Sequence, residues 1–340
     1  MTSHPTAAHS RELTPRYTDT TSEYRAALEG AALHDASRFG RLRVTGVDAL
    51  DLLNRLSTNR LDRLSAGESA MTVLVDEKAR IIDLLTVANL GDELLIFTSP
   101  GAAQRVVQWL DKYTFAEEIA VQDVTDSTAM LSLLGPESPA VLARLPDLDM
   151  KGAAPNTASR LSLDGVAAIL VRRDAPWLPS WDLVVPAGQA ARVWDALAGA
   201  GATPMGEEAW QALRVERGVP IHGHELTEQY NPLEAGLAAC VSFDKGCYIG
   251  QEVIARLDTY KKLQRRLVRL RFPPGAAVAE GDALEQGGKR VGVLTSVATR
   301  PADGAVLAIG YVRLTALDGA VRLSLADKPG VVAEVFPAAE

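Results

Sequence analysis

The stretch DKGCYIGQE, residues 244–252, sets a lone cysteine among glycines, two residues after a lysine. Three chemistries are open to Cys247. It can be a small buried hydrophobe, as free cysteine often is. It can be a metal ligand together with His222 or His224. It can be a reactive thiol, because the ammonium of Lys245 would favour the thiolate and Gly246 and Gly250 allow close backbone approach. Tyr248, Gln251 and Glu252 add hydrogen-bonding and proton-transfer groups. A bare His-x-His without a second ligand cluster is a weak metal signature. Cys240, in LAACVSF, reads as part of a buried strand and as structural. Upstream, His222, His224, Glu225, Glu228 and Glu234 share a segment punctuated by Pro220, Gly223, Pro232 and Gly236. Turn-rich segments of this density often carry function.

The elements that must hold these residues alternate in type. Residues 22–35 (SEYRAALEGAALHD) read as a helix of good formers. FGRLRVTG then alternates as a strand. Thr45 and Asp48 have capping-box-like spacing ahead of a Leu50, Leu53, Leu56 stripe. Strand-like runs follow at 69–75, 80–89 and 93–98, a helix at 101–112, and strands at 118–124, 129–134, 166–173 and 181–186. Two more helices follow, AGQAARVWDALAGAGA and GEEAWQALRVERG, the second ending at Gly218 as a C-cap glycine would. Strands and helices mix without the one-to-one alternation of a doubly wound sheet. After about residue 262 short Val- and Leu-rich runs are separated by PPGAA, QGGK, PADG, LDG and KPG, which predicts a small all-β barrel.

The 340 residues suffice for two or three domains, and 47% hydrophobic with 23% charged is ordinary for a globular chain. A net charge of −8 argues against a general nucleic-acid binder, which needs a basic surface. Two cysteines make neither a disulfide framework nor a four-ligand zinc site, and suggest a reducing compartment. No apolar run reaches the roughly 18 residues of a membrane helix, and the polar start lacks a signal-type stretch. A cytoplasmic protein is the expectation.

The run from Lys245 to Glu252 resembles the signature of the YgfZ family, folate-binding relatives of the glycine cleavage T-protein that support iron–sulfur enzymes. RVERGVPIHGHELTEQYNPLEAGL, GRLRVTGVDALDLLNRLSTNRLDRLSAG, GVLTSVAT and AIGYV resemble further parts of the T-protein fold, so the likeness covers nearly the whole chain after residue 30. It implies an α+β fold, with α/β subdomains around a central folate pocket followed by a C-terminal β-barrel. The expected division is a flexible tail at 1–21, a folate-binding α/β region at 22–260 and the barrel at 261–340.

The likeness further implies tetrahydrofolate as cofactor, with a transient iron–sulfur cluster as a second. It implies a role as an accessory factor in assembling or repairing iron–sulfur proteins, more than as an enzyme in its own right. Its partners would be folate and iron–sulfur client or assembly proteins, with neither nucleic acid nor membrane bound directly. Radical enzymes that modify tRNA are among the beneficiaries, so the tRNA link is indirect. The working thiol would be Cys247 with Lys245, in a loop shaped by Gly246, Tyr248, Gly250, Gln251 and Glu252, and no metal site is expected. Glu216 stands where the T-protein pattern has a glutamate facing the pterin. Asp83 stands at its acidic strand. Lys262, Arg265 and Arg266, with Lys261, make a cationic run suited to the glutamate tail of folate. The alternative is an aminomethyltransferase acting with a lipoylated carrier. It is weakened because T-proteins have a paired acid where Asp83 is followed by Leu84.

Overall fold

A computed structural model describes residues 13–145, 154–174, 178–260, 262–318 and 322–337. Residues 1–12 of the expected tail, and Lys261 of the cationic run, lie outside the described residues. Helix α1 spans Thr20–Glu29, and the Asp19 side chain caps it by accepting from Ser22 N. Ahead of it, Glu23 Oε1 accepts from Tyr17 N and Thr18 N at 2.6 Å, and Glu23 Oε2 from Gly206 N at 2.8 Å. Residues 14–18 are thereby tied to the body of the protein.

Strands β1 (Ala32–Asp35) and β2 (Phe39–Thr45) follow, then α2 (Ala49–Leu56). The helix expected over 22–35 thus stops at Gly30, and Ala32–Asp35 turns into a strand. Expected capping by Thr45 also fails: α2 begins at Ala49, and Asp48 Oδ2 accepts instead from Glu118 N at 2.7 Å. Strands β3 (Ser69–Val75), β4 (Ile81–Asn89) and β5 (Leu94–Pro100) lead to α3 (Ala103–Lys112) and β6 (Ala120–Asp123). Next come β7 (Thr128–Leu134), α4 (Ser138–Ala143), β8 (Thr157–Leu163), β9 (Val166–Arg173) and β10 (Ser180–Pro186). Helix α5 (Ala190–Gly199), β11 (Thr203–Met205) and α6 (Glu207–Arg217) close this part. Gly218, at φ 73°, ends α6 in the left-handed region, as the sequence predicts.

Two sheets result, one in the order β11-β1-β7-β10-β9-β8 and one in the order β3-β4-β5-β2-β6. Helices α2 and α3 cover the outer face of the second, where Leu52, Leu53, Leu56, Val106 and Leu110 are buried against Leu42, Leu85 and Ile96. The two sheets meet through Ala88, Leu95, Phe97, Met130, Val171 and Val184.

A turn-rich segment leads to α7 (Gln251–Thr259) and then to β12 (Arg265–Phe272), β13 (Ala283–Gln286), β14 (Lys289–Thr299), β15 (Val306–Arg313), β16 (Arg322–Leu325) and β17 (Lys328–Pro337). The last six strands close into a barrel in the order β12-β15-β14-β13-β16-β17. Its core of Leu270, Phe272, Leu284, Leu294, Val312 and Leu323 comes from the short apolar runs of the sequence. A separate cluster, including Val73, Ile81, Val215, Leu226, Ile309 and Tyr311, seals the barrel onto the α/β part. This mixed α/β architecture ending in a closed barrel is the fold the resemblance implies.

Candidate functional site

A cleft of about 80 Å³ lies where the two sheets and α6 approach. Phe39, Leu84, Phe97, Leu134 and Trp210 give it apolar walls, and Ser99, Ser132, Arg173 and Ser180 add polar groups. Such a mostly apolar hollow with few fixed polar atoms is the usual form of a small-molecule site. Its polar side is organised by Asp182, fully buried on β10. Asp182 Oδ1 accepts from Ser132 Oγ at 2.5 Å, and Oδ2 from Arg173 Nε at 2.5 Å and Ser180 Oγ at 2.9 Å. A buried carboxylate needs such partners, and they hold the hydroxyls and guanidinium at the cleft surface. The sequence reading passed over these four residues. Its one usable signal was a charged residue inside the apolar run SWDLVV.

Asp83 lies on β4 and is fully buried. It does not line the cleft, but its neighbour Leu84 and its partner Ser99 do. Asp83 Oδ2 accepts from Ser99 N at 2.8 Å, while Oδ1 is buried without a partner. Burial pushes this carboxyl up to about 6, against the pull of the Ser99 hydrogen bonds.

The other residues expected to bind folate do not line this cleft. Glu216, at the C-terminal end of α6, sets Oε1 3.4 Å from Arg300 Nη1, and its carbonyl accepts from Arg269 Nη1 at 3.2 Å. Both partners belong to the barrel part, and Glu216 does not line the cleft. Arg265 stands 3.5 Å from Glu234 and over the Tyr230 ring. Lys262 is exposed, with Nζ 5.2 Å from the Tyr260 ring, and Arg266 is half-buried. The structure sets this basic run along the head of β12, away from the cleft lining.

Around Cys247, the loop is built by its neighbours. Cys247 is an exposed free thiol, and Cys240 is buried, where burial pushes its thiol up to about 12. Lys245 does not reach out to solvent beside the sulfur. It is buried, and its ammonium donates to the carbonyls of Asn54 (2.6 Å), Ser57 (2.8 Å) and Asn59 (2.6 Å). Burial pulls it down to about 8. The expected activation of the thiol by Lys245 is therefore replaced by a clamp on the turn after α2.

Tyr248 is buried with Ala79, Leu233, Val241 and Ile254, which anchors the loop. Gly250, at φ 78°, sits before the first residue of α7, Gln251, and Glu252 is exposed in that first turn. Cys247 does not line the cleft.

The histidine pair separates. His224 Nδ1 lies 3.2 Å from Glu280 Oε1, and burial pulls His222 down. Glu225 is buried in a network with Arg214, Thr295 and Ser296. Among the described residues, no group of three or more His, Cys, Asp or Glu is arranged to hold a metal ion.

The family model described as the GCVT N-terminal domain matches residues 9–245. A provisionally named chloroplastic transferase of Arabidopsis thaliana is 33% identical over 308 residues, 90% of this chain and 71% of that protein. An aminomethyltransferase of Herpetosiphon aurantiacus is 30% identical over 304 residues, 89% of this chain and 84% of that one. Among solved structures, the glycine cleavage system aminomethyltransferase T from Bartonella henselae superposes with a TM-score of 0.83 at 24% identity. It covers 94% of this chain and 88% of that one, a likeness of fold. No helix among the described residues is long and apolar enough to cross a membrane.

Proposed function

The chain belongs to the GCVT N-terminal domain family, and on that footing we propose that it is a tetrahydrofolate-binding member of the YgfZ branch, an accessory protein in the assembly or repair of iron–sulfur proteins. The observation that carries the branch is the exposed Cys247 thiol on a loop whose other motif residues fix the backbone: Lys245 by three carbonyls and Tyr248 by burial. Motif residues spent on presenting one sulfur to solvent support a thiol that meets another protein.

The cleft fits a reduced pterin in kind. Phe39, Phe97 and Trp210 offer flat apolar walls, and the group held by Asp182 offers hydrogen bonds. Asp83, behind the lining, fixes the Ser99 backbone through its Oδ2. The folate reading rests on these residues rather than on Glu216 or the basic run at Lys262, Arg265 and Arg266. The cysteines do not fit a resident cluster, which takes several thiolates, because Cys240 is sealed in the core. Iron–sulfur cargo would need further ligands from a partner, and folate supplies one-carbon chemistry when bound.

A second reading, aminomethyl transfer, is favoured by Asp83, whose carboxyl near 6 suits acid–base work, and by the named relative at 30% identity.

The test is complementation of a strain lacking its own homologue, with wild type, Cys247→Ser and Asp83→Asn, alongside calorimetric titration with 5-formyl-tetrahydrofolate. Expected is folate binding by wild type and Cys247→Ser, with iron–sulfur enzyme activity restored by wild type alone of that pair. Full rescue by Cys247→Ser would sink the accessory role. Formation of 5,10-methylene-tetrahydrofolate from an aminomethylated lipoyl carrier would establish the second reading instead.

A further inference from the structure

Trp210 separates two hollows. Its one side lines the cleft, and its ring stacks on His34 (5.3 Å between centroids, 9° between planes) and under the Arg38 guanidinium at 4.3 Å. His34 and Arg38 line a second cavity of about 260 Å³, together with Tyr17, Asp35, Ser37 and Glu207. Unpartnered buried polar atoms are rare in native proteins and call for an explanation. Four belong to residues that line this cavity: His34 Nε2, Arg38 Nε and Nη2, and Glu207 Oε2.

Each has a definite hydrogen-bonding sense. His34 has only 3% of its side chain exposed, and its Nδ1 lies 3.3 Å from the Met205 carbonyl. That contact puts the proton on Nδ1 and leaves Nε2 a bare acceptor. Arg38 Nη1 donates to Glu207 Oε1 at 2.8 Å. The edge left over, Nε with Nη2, is the one that forks a carboxylate. Glu207 Oε1 also accepts from Gln211 Nε2 at 2.7 Å, so Oε2 is the free oxygen. His34 Nε2 and Glu207 Oε2 stand 4.0 Å apart, a spacing one ammonium can bridge with two bonds of about 2.9 Å.

A donor fork beside a pair of acceptors is the complement of a carboxylate joined to an ammonium. We propose that this cavity binds a small α-amino acid as the zwitterion, its carboxylate on the Arg38 fork and its ammonium between His34 Nε2 and Glu207 Oε2. Water can satisfy the same atoms but would not select between ligands, and selection is what the test reads. The site shares no lining residue with the cleft, so it stands whether or not folate binds there.

The experiment is saturation-transfer NMR and calorimetry on the full chain. Glycine, L-alanine and L-serine are the probes, and acetate and methylammonium are the single-ended controls. At least one amino acid is expected to bind roughly tenfold or more tighter than either control, since each end makes a charge-assisted pair. Arg38→Gln should reduce it to the level of methylammonium, and Glu207→Gln to the level of acetate, with circular dichroism verifying the fold. Acetate binding as well as every amino acid, or no probe binding at all to the wild type, would overturn the proposal without recourse to any variant.

Discussion

Asp83 is held in a conflict between burial and one good hydrogen bond. Its carboxyl is raised in the folded protein from 3.8 to about 6, so the native state binds the proton more tightly than the unfolded chain. The stability this gives is fully present below about pH 4 and is lost as pH rises through 6. The shift corresponds to up to about 3 kcal/mol. Asp83→Asn should therefore match wild type in urea unfolding at pH 4 and exceed it by up to about 3 kcal/mol at pH 8. No change in the difference between the two pH values would refute the buried-acid account. The cysteines give a second residue-scale prediction. Ellman's reagent should titrate one thiol per native chain, from exposed Cys247, and two after denaturation, because Cys240 is 2% exposed. Two rapidly reacting native thiols would contradict the sealed Cys240. Residue types at the motif were plain in the sequence, but their directions were not. Spacing cannot tell a lysine facing a sulfur from one turned inward onto the carbonyls of Asn54, Ser57 and Asn59.

At the scale of elements, the two glycines of the motif separate by geometry. Gly250 has φ +78°, and a Cβ there would meet Asp76 O at 2.7 Å, whereas a Cβ on Gly246 meets nothing within 4 Å. Gly250→Ala should cost about 2 kcal/mol or more, combining left-handed strain with backbone collision. Gly246→Ala should stay within about 0.5 kcal/mol. Urea midpoints of the two variants check the contrast, and equal losses would mean that the loop is held differently. Strands such as Ser69–Val75 and Val166–Arg173 were legible because their own apolar pattern defines them. Ala32–Asp35 was not, since its residues favour helix and it becomes a strand by pairing with Thr203–Met205 on one side and Leu131–Leu134 on the other. Tertiary pairing there outweighs local propensity.

Across the whole molecule, the cleft depends on residues that sequence distance hides. Ser132, Arg173 and Asp182 meet because β10 lies between β7 and β9, an adjacency with no local signature. The barrel is legible as a module, yet its attachment is not, because beside the apolar seam it includes a buried polar knot. Arg214 Nη1 donates to Glu225 Oε2 at 3.3 Å, and Arg214 Nη2 to Ser296 Oγ at 2.8 Å. Thr295 Oγ1 and Ser296 Oγ donate to Glu225 Oε1 at 2.8 and 2.6 Å, and Tyr311 donates to the Glu225 carbonyl at 2.9 Å. Helix α6, the turn segment, β14 and β15 are thus joined through a single carboxylate and guanidinium. Removing one partner strands the other charge, so Glu225→Ala should lose about 3–5 kcal/mol. Arg214→Met should lose a similar amount for the same reason. The double variant strands no charge and should lose clearly less than the sum of the two, as coupled groups do in a double-mutant cycle. Urea unfolding followed by circular dichroism measures all four proteins. Strict additivity would mean that the barrel is held by its apolar contacts, with the ion pair acting as two independent surface-like groups.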